Sequence, residues 1–490
     1  MRAPLGYDQI APLGFIALVK IGTMPFGSSD LGLRVVPFLC GIAALVLFWR
    51  VAARALDGIA IPIAVGLFAI GIPFIRYTTE LKQYGCDLVA TLALTLVALD
   101  LRRRTPTVGR CVAAGMAGCI LVWFSQAAVL VLVGLGAALT VCSLLDRDPS
   151  SRRAVRITVP IWAVAAIAAL VVSKHYVAPA TLAYMHMFWG KRQSFAPLPL
   201  GSSDDVRWVW TRFTDFFGTA NLSLAYPGPM LYALLTVLGF VVMWRRRRDT
   251  ALILLAPFVV TLMAAVAQQY PFRTRLVLFL MPSLLLALAE AIGWIGARAP
   301  VGRVAAMALI VPPLVAIGAA PPPYSVEAYK PVLAYVQTHR RPGDAVYVFA
   351  NTAEALLHYG PQFGLDPGTY VVGRCEERDV RPYLRDLDPF RGASRLWVIG
   401  SNMPPFRQPR RAIGQYLQTI GVRRDSIAVP SPFPSGPPFD PVSADLFDLS
   451  DSARLQLAAA STFRVGILAD TLHGLCSDRF GPTGKPRGTP

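Results

Sequence analysis

Four ionisable side chains crowd one short turn: Arg76, then Glu80, Lys82 and Asp87 within the stretch YTTELKQYGCD that runs from Tyr77 to Asp87. Both flanks are apolar enough to enter a membrane, where an ionisable group needs a partner or water. Two kinds of chemistry fit. Arg76 and Glu80 can pair and anchor a helix end at the interface, an arrangement worth about 0–1 kcal/mol when solvated. Alternatively the group can wall a polar pocket. On a single helix starting near Arg76, positions 76, 80, 83, 84 and 87 recur at helical spacing. Arg76, Glu80, Gln83, Tyr84 and Asp87 then share one stripe, and Lys82 points elsewhere. That stripe holds more polarity than one anchor requires.

The elements that must position this turn are membrane helices. A span needs about 20 mostly apolar residues to cross about 30 Å of hydrocarbon. Such runs lie near 33–53, 57–75, 84–101, 109–123, 125–145, 155–173, 229–244, 250–268, 276–296 and 303–320. The expected fold class is an α-helical polytopic membrane protein of about ten spans with a C-terminal extracytoplasmic α/β domain. From Cys111 to Leu145 there is no charge; at about 1.5 Å per residue that run is too long for one crossing, so a break is expected at Trp123–Gln126. There Ser125 and Gln126 are expected to satisfy backbone. Ile10–Phe26 is interrupted by Pro12, Lys20 and Pro25 and reads as an interfacial or re-entrant helix.

Composition agrees. Of 490 residues 54% are hydrophobic and 16% charged, with 47 Lys and Arg against 29 Asp and Glu. The excess arginines lie in blocks between apolar runs: Arg50 and Arg54, Arg102–Arg104 with Arg110, Arg147 to Arg156, Arg245–Arg248, Arg298 with Arg303. Ten spans put every block on one side, as cytoplasmic loops require. This accounts for the net charge of +18 without nucleic acid. The opposite face then receives the turn at Glu80, a long loop over 174–228, the YPFRTRL turn at 270–276 and residues 321–490. The cysteines follow no metal-ligand spacing. Most lie in or beside apolar runs, whereas Cys375 and Cys476 could pair in an oxidising compartment. No cofactor is implied, and a divalent metal stays open; Asp204 and Asp205 are read as a solvated loop before a metal pair.

Residues 1–320 form the membrane core and 321–476 a soluble α/β domain. Ser325–His339, AEALLHYG and PRRAIGQYLQTIG read as helices, with strands at 344–350, TYVVG and RLWVIG. Alternating helix and short buried strand indicates a layered α/β unit. PSPFPSGPPFDP (430–441) reads as a Pro-rich loop and 477–490 as a disordered tail.

The run YDQIAPLGFIALVK, FGSSDLGLRVVPFLCG, RYTTELKQYGCD resembles the N-terminal core of the GT-C-type membrane glycosyltransferases. It is most similar to the family-39-like branch of dolichyl-phosphate-mannose protein mannosyltransferases and aminoarabinose transferases. Asp30, Arg34, Tyr77, Glu80, Lys82 and Tyr84 fall on the motif positions of that branch. FWGKRQSFAPLP, YPFRTRLVLFLMP and RPGDAVYVF farther on look like it as well.

The resemblance implies an inner-membrane enzyme, a hexosyl or pentosyl transferase. It would move a sugar from a polyprenyl-phosphate carrier to a cell-envelope glycan, lipid or protein on the outer face, with membrane lipids as surroundings. Carrier phosphate calls for cations, and guanidinium binds phosphate bidentately; Arg273 and Arg275 are the candidates, with interfacial snorkelling as the plainer alternative. Glu80 would orient the acceptor or its base, and Lys82 and Tyr84 would hold phosphate or sugar hydroxyls, beside Gln83 and Asp87. Trp189, near His186, Lys191 and Arg192, offers a face for sugar stacking. The catalytic carboxylate of this branch lies in a first outer loop after a first transmembrane helix. Asp8 is the nearest acid but falls in a later segment, so the true start is expected upstream of Met1. A transporter of a lipid or small solute, and an inactive scaffold displaying the C-terminal domain, are the competing readings. A transporter, though, places its charges near mid-membrane and shows paired repeats.

Overall fold

The computed structural model describes residues 10–457, except 104–105, 147–148, 178, 198–200, 219–223, 299, 320–326, 376–379, 402–406 and 431–440. Two compact units divide the chain, Met1–Pro322 and Pro323–Pro490.

The first unit is helical. It opens with α1 (Leu13–Phe26) and α2 (Asp30–Ala55), the latter started by Ser29, whose Oγ accepts from the Gly32 amide at 3.2 Å. The expected span at 57–75 is two pieces, α3 (Ala60–Ala69) and α4 (Ile72–Tyr77). Pro73 in the first turn of α4 has no amide to continue the α3 ladder. Then follow α5 (Tyr84–Arg103), α6 (Val108–Leu121), α7 (Ala127–Asp146) and α8 (Pro149–Tyr176). The long loop of the sequence reading contains two helices, α9 (Pro179–Lys191) and α10 (Ser203–Thr214). After α11 (Pro229–Arg246) and α12 (Arg248–Val266), a 3-10 stretch at Thr274–Leu280 runs into α13 (Met281–Gly296), and α14 (Pro300–Ala319) closes the unit.

Seven of these segments are long and apolar enough to cross a membrane: α2, α5, α7, α8, α11, α12 and Arg275–Gly296. Three other expected spans correspond to shorter apolar helices, at Ala60–Ala69, Val108–Leu121 and Val301–Val315. The break between α6 and α7 falls where expected, and its backbone is satisfied: the Ala128 amide donates to Ser125 Oγ at 3.1 Å, and Trp123 O accepts from the Gly14 amide at 2.9 Å. Gln126 Nε2 donates to Ile10 O. α13 is buried along most of its length. Gly239 of α11 lies so close to it that a Cβ there would collide with Ala287 O, a small-residue contact that lets two membrane helices touch backbones.

The second unit is a five-stranded sheet in the order β2-β1-β3-β5-β4. Its chain order is α15 (Tyr329–His339), β1 (Ala345–Val348), α16 (Ala353–Tyr359), β2 (Val371–Val372), α17 (Arg381–Arg385), β3 (Leu396–Ser401), α18 (Arg407–Ile420), β4 (Val422–Val429), β5 (Val442–Asp448) and α19 (Ser452–Leu457). β1 runs parallel to β2 and β3, and β5 antiparallel to β3 and β4. Period-two alternation splits the core. Val346, Val348, Trp397 and Ile399 pack with Val332 and Val336 of α15, while Tyr347, Leu396 and Val398 pack with Ile413 and Leu417 of α18. β4 and β5 were not expected. Cys375 is disulfide-bonded; Cys476, the 477–490 tail and nearly all of the Pro-rich loop lie outside the described residues.

Candidate functional site

The stripe from Arg76 to Asp87 is not one helix. α4 stops at Tyr77, where Thr78 Oγ1 donates to Ile75 O at 2.6 Å and Thr79 Oγ1 to Arg76 O at 2.9 Å. Hydroxyls that bond local carbonyls compete with helix continuation. A turn follows, and α5 begins at Tyr84, with Gln83 O accepting from the Asp87 amide at 3.0 Å. The turn still brings Arg76 and Glu80 together: Nε and Nη2 donate to Glu80 Oε1 at 3.0 and 2.6 Å. This pair is not a solvated anchor, because the Arg76 side chain is only 5% exposed and that of Glu80 26%. Removing Glu80 would take two charge-assisted bonds from a nearly buried guanidinium, a loss of about 1.5–3 kcal/mol.

Asp87 leaves the group. It is buried and accepts from Ser125 Oγ at 2.6 Å, so it ties α5 to the start of α7. Tyr84 remains, packed edge-on against Tyr77 with ring centroids 4.6 Å apart. The Tyr77 hydroxyl is buried without a hydrogen-bond partner among the described residues. Asp30 and Arg34 lie in the first turns of α2. Asp8 lies outside the described residues.

The cations arrive from two other segments. The Phe272 amide donates to Ser194 O at 2.7 Å and that of Ala196 to Ala265 O at 3.3 Å, which stitches the segment after α9 to the end of α12 and the loop that follows it. That loop delivers Arg275, whose guanidinium lies 5.9 Å from the Trp189 ring centroid. Arg275 is near enough to act electrostatically on Lys82, Tyr77, Tyr84 and Arg192. Lys82 is reachable by solvent yet crowded by protein. Desolvation and then Arg275 lower its pKa, and Glu80 opposes them. Glu80, Lys82, Tyr84, Trp189 and Arg275 are thus brought together. Arg273 faces away from them toward Arg212 and Asp215, and its Nη1 donates to Arg192 O.

Trp189 does not present a face to solvent. It is 6% exposed, with Phe188 edge-on at 5.1 Å and Arg275 over its ring, so its place is to seat Arg275. His186 stacks on Phe195 at 5.0 Å. Asp205 closes a capping box with Ser202 at the start of α10. No group of three metal-ligating side chains occurs among the described residues.

The sequence reading missed the Arg212–Asp215 pair, joined at 2.7 Å; its i, i+3 spacing at the end of α10 was the available signal. With it the charge balance becomes clear. Glu80 is held by Arg76 and Asp215 by Arg212, while Arg275 and Lys82 have no ion-pair partner among the described residues. Burial first lowers the pKa of both Arg192 and Arg273; at Arg192 Tyr184 opposes it and Arg275 adds to it, and at Arg273 Arg212 adds to it against Asp215. Burial raises that of Asp215 against the pull of Arg212 and Arg273. An anion would relieve this repulsion. It would not enter beside Arg273, where Arg212, Asp215, Phe272 and Met281 enclose about 10 Å³, room for one water.

No family model and no curated protein matches the chain. Solved structures do. ArnT from Cupriavidus metallidurans bound to undecaprenyl phosphate is 12% identical over 91% of this chain and 90% of its own, with a TM-score of 0.49. The archaeal oligosaccharyltransferase AglB from Archaeoglobus fulgidus, in complex with an inhibitory peptide and a dolichol-phosphate, is 11% identical over 85% of this chain, with a TM-score of 0.45. An Archaeoglobus fulgidus oligosaccharyltransferase complex with Zn and sulfate is 13% identical over 84% of this chain, with a TM-score of 0.46. The chain spans only 65% and 61% of these last two. All of them are GT-C family members, the group that the sequence motifs resemble. At such low identity and TM-score the likeness says nothing of substrate or of site residues.

Proposed function

We propose that the chain is an integral membrane glycosyltransferase that moves a hexosyl or pentosyl group from a polyprenyl-phosphate carrier to a cell-envelope acceptor. The site would lie on the outer face, with the C-terminal unit extracytoplasmic in an inner membrane. One observation carries this reading: Arg275 and Lys82 converge on the Tyr77–Tyr84 pair with no ion-pair partner among the described residues, Glu80 being engaged by Arg76, next to a buried hydroxyl that has no hydrogen-bond partner among those residues. Cations that no carboxylate pairs with directly suit a phosphate that gains charge as it leaves.

In an inverting transfer the acceptor oxygen attacks the anomeric carbon and the bond from that carbon to the phosphate oxygen breaks. The electron pair leaves with the phosphate, and the acceptor's proton passes to a carboxylate. Arg275 and Lys82 would receive the phosphate oxygens, and Tyr77 would donate its hydroxyl to the phosphate or a sugar oxygen. Glu80 acts as a positioning residue: its carboxylate already accepts two bonds from Arg76 and fixes the turn that carries Lys82. The proton acceptor is not assigned to it.

The test is binding of a polyprenyl phosphate to the purified full chain in nanodiscs. Arg275→Gln removes a charge-assisted bond to phosphate, so affinity should fall by roughly 10–100-fold. Arg275→Lys keeps the charge but loses the planar fork and should fall between the two. Equal binding by wild type and Arg275→Gln would overturn the assignment.

A further inference from the structure

A second cluster of arginines lies at the other end of the same helices. α5 carries Tyr84 at one terminus and Arg102 and Arg103 at the other, about 30 Å away at 1.5 Å per residue. There the end of α5 and the turn between α11 and α12 line a half-open basin of about 400 Å³. Its wall presents Arg102, Arg103, Arg247 and Arg248 against a single carboxylate, Asp249. Leu99 and Ile253 supply its apolar floor.

The four guanidinium groups are not equivalent. Arg102 is saturated, with Nε at 3.0 Å from Asp249, Nη1 at 2.5 Å from Ser151 and Nη2 shared between Asp249 and Asp146. Arg247 pairs with Asp57 and donates to Ala55 O at 2.7 Å. The remaining two have no acid among the described residues. Arg103 donates to Arg54 O, and Arg248 lies 5.0 Å from the Trp244 ring centroid. Both are exposed. No side chain caps the start of α12, which opens between Arg247 and Asp249.

We propose that this basin is a binding site for a phosphate-bearing anion, distinct from the transfer site and gripped chiefly by Arg103 and Arg248. Two positive charges without a paired acid among the described residues match a phosphate group, and guanidinium recognises its oxygens bidentately. The volume lies within the roughly 300–1,000 Å³ of small-molecule sites. Basic pockets between membrane helices hold anionic lipid headgroups, and a soluble phosphate would satisfy the same donors. A single snorkelling arginine would not explain the convergence of donors from separate helix ends on one basin.

The full chain in nanodiscs separates the two sources. One arm exchanges phosphatidylcholine discs for discs containing phosphatidylglycerol and counts retained lipid by native mass spectrometry. The other titrates inorganic phosphate into phosphatidylcholine discs and follows melting. Wild type should retain phosphatidylglycerol selectively, or show a saturable phosphate-dependent rise in melting, and whichever arm responds names the source. Arg103→Gln with Arg248→Gln should weaken that response about tenfold or more, while Arg103→Lys with Arg248→Lys should fall between. Arg152→Gln with Arg156→Gln, exposed on α8 and outside the basin, should leave it intact. No response in either arm, or equal loss in the α8 variant, would overturn the proposal.

Discussion

Arg102 and Arg275 are both arginines at the ends of one helix bundle, and they are held in opposite ways. The Arg102 side chain is 10% exposed and meets Asp146, Asp249 and Ser151. Around it Arg54 pairs with Asp100 at 3.2 Å and Arg246 with Glu290 at 3.2 Å. Arg275 rests on an indole ring and has cations for neighbours. A count of charged residues at either end would not separate these two states; the identity of each partner does. Carboxylate partners lock helix ends together, whereas cations left without them keep their field for something that arrives.

The contrast is open to breakage, first at Arg102. Arg102→Gln leaves Asp249 and Asp146 without their shared partner. The loss should be about 2–3 kcal/mol, because four donated bonds go but Asp146 and Asp249, 43% and 38% exposed, stay solvated. Melting of the protein in detergent should fall sharply, while transfer per folded molecule stays near wild type. An unchanged melting temperature would show that this end is not a structural lock, and the distinction from Arg275 would collapse.

Glu80→Gln is the next largest. The variant keeps the shape of the side chain and removes the charge that holds Arg76. Because Arg76 is buried, melting should fall as well, a cost that the sequence alone did not suggest. The separate signature of a positioning role is kinetic. If the turn carrying Lys82 shifts by about 1 Å, turnover should drop by roughly 10²-fold per folded molecule. Polyprenyl-phosphate binding should change less than it does in Arg275→Gln. Full turnover in folded Glu80→Gln would return the turn to the status of an anchor.

How much of this was legible in the sequence follows from how local each signal was. The break at Trp123–Gln126 was readable because chain length against bilayer thickness forced it. The helix through Arg76 to Asp87 was misread because spacing alone was consulted; Thr78 and Thr79, which turn their hydroxyls onto the α4 carbonyls, were the local signal. Asp87 was placed with Glu80 by periodicity, but its partner Ser125 is 38 residues away. In the C-terminal unit, β1 and β3 announced themselves as buried apolar runs. β4 did not, because it is the edge strand and its residues Arg423, Arg424 and Asp425 give it a charged, half-exposed face. The convergence of Arg275 on Lys82 depends on the stitching of Phe272 to Ser194 and had no sequence signature.

The smallest effect sharpens the comparison from the acidic side. If the cations at the Glu80 end have no ion-pair partner among the described residues, acids of the same unit are engaged elsewhere, and Asp205 illustrates how. Its carboxylate accepts from the amides of Gly201 and Ser202 and from Ser202 Oγ, at 3.0, 2.9 and 2.8 Å. Those bonds, that of the Ser202 hydroxyl first, hold its pKa below the ordinary value. Its contribution to α10 is therefore complete above the unfolded-state pKa and is lost as pH falls through the lower folded one. Asp205→Ala should cut amide protection in the first turn of α10 about fivefold, the scale of a lost cap. The wild-type protection should itself decline only below about pH 4, the ordinary carboxylate range, and the variant should show no such step. Asp204→Ala, which removes no capping bond, should leave protection unchanged, and added Mn²⁺ or Ca²⁺ should leave wild type and both variants where they were. If the ions instead protect wild type, and Asp204→Ala abolishes that protection, the two carboxylates act together on a cation. The acids at this end would then belong to the site and not to the scaffold.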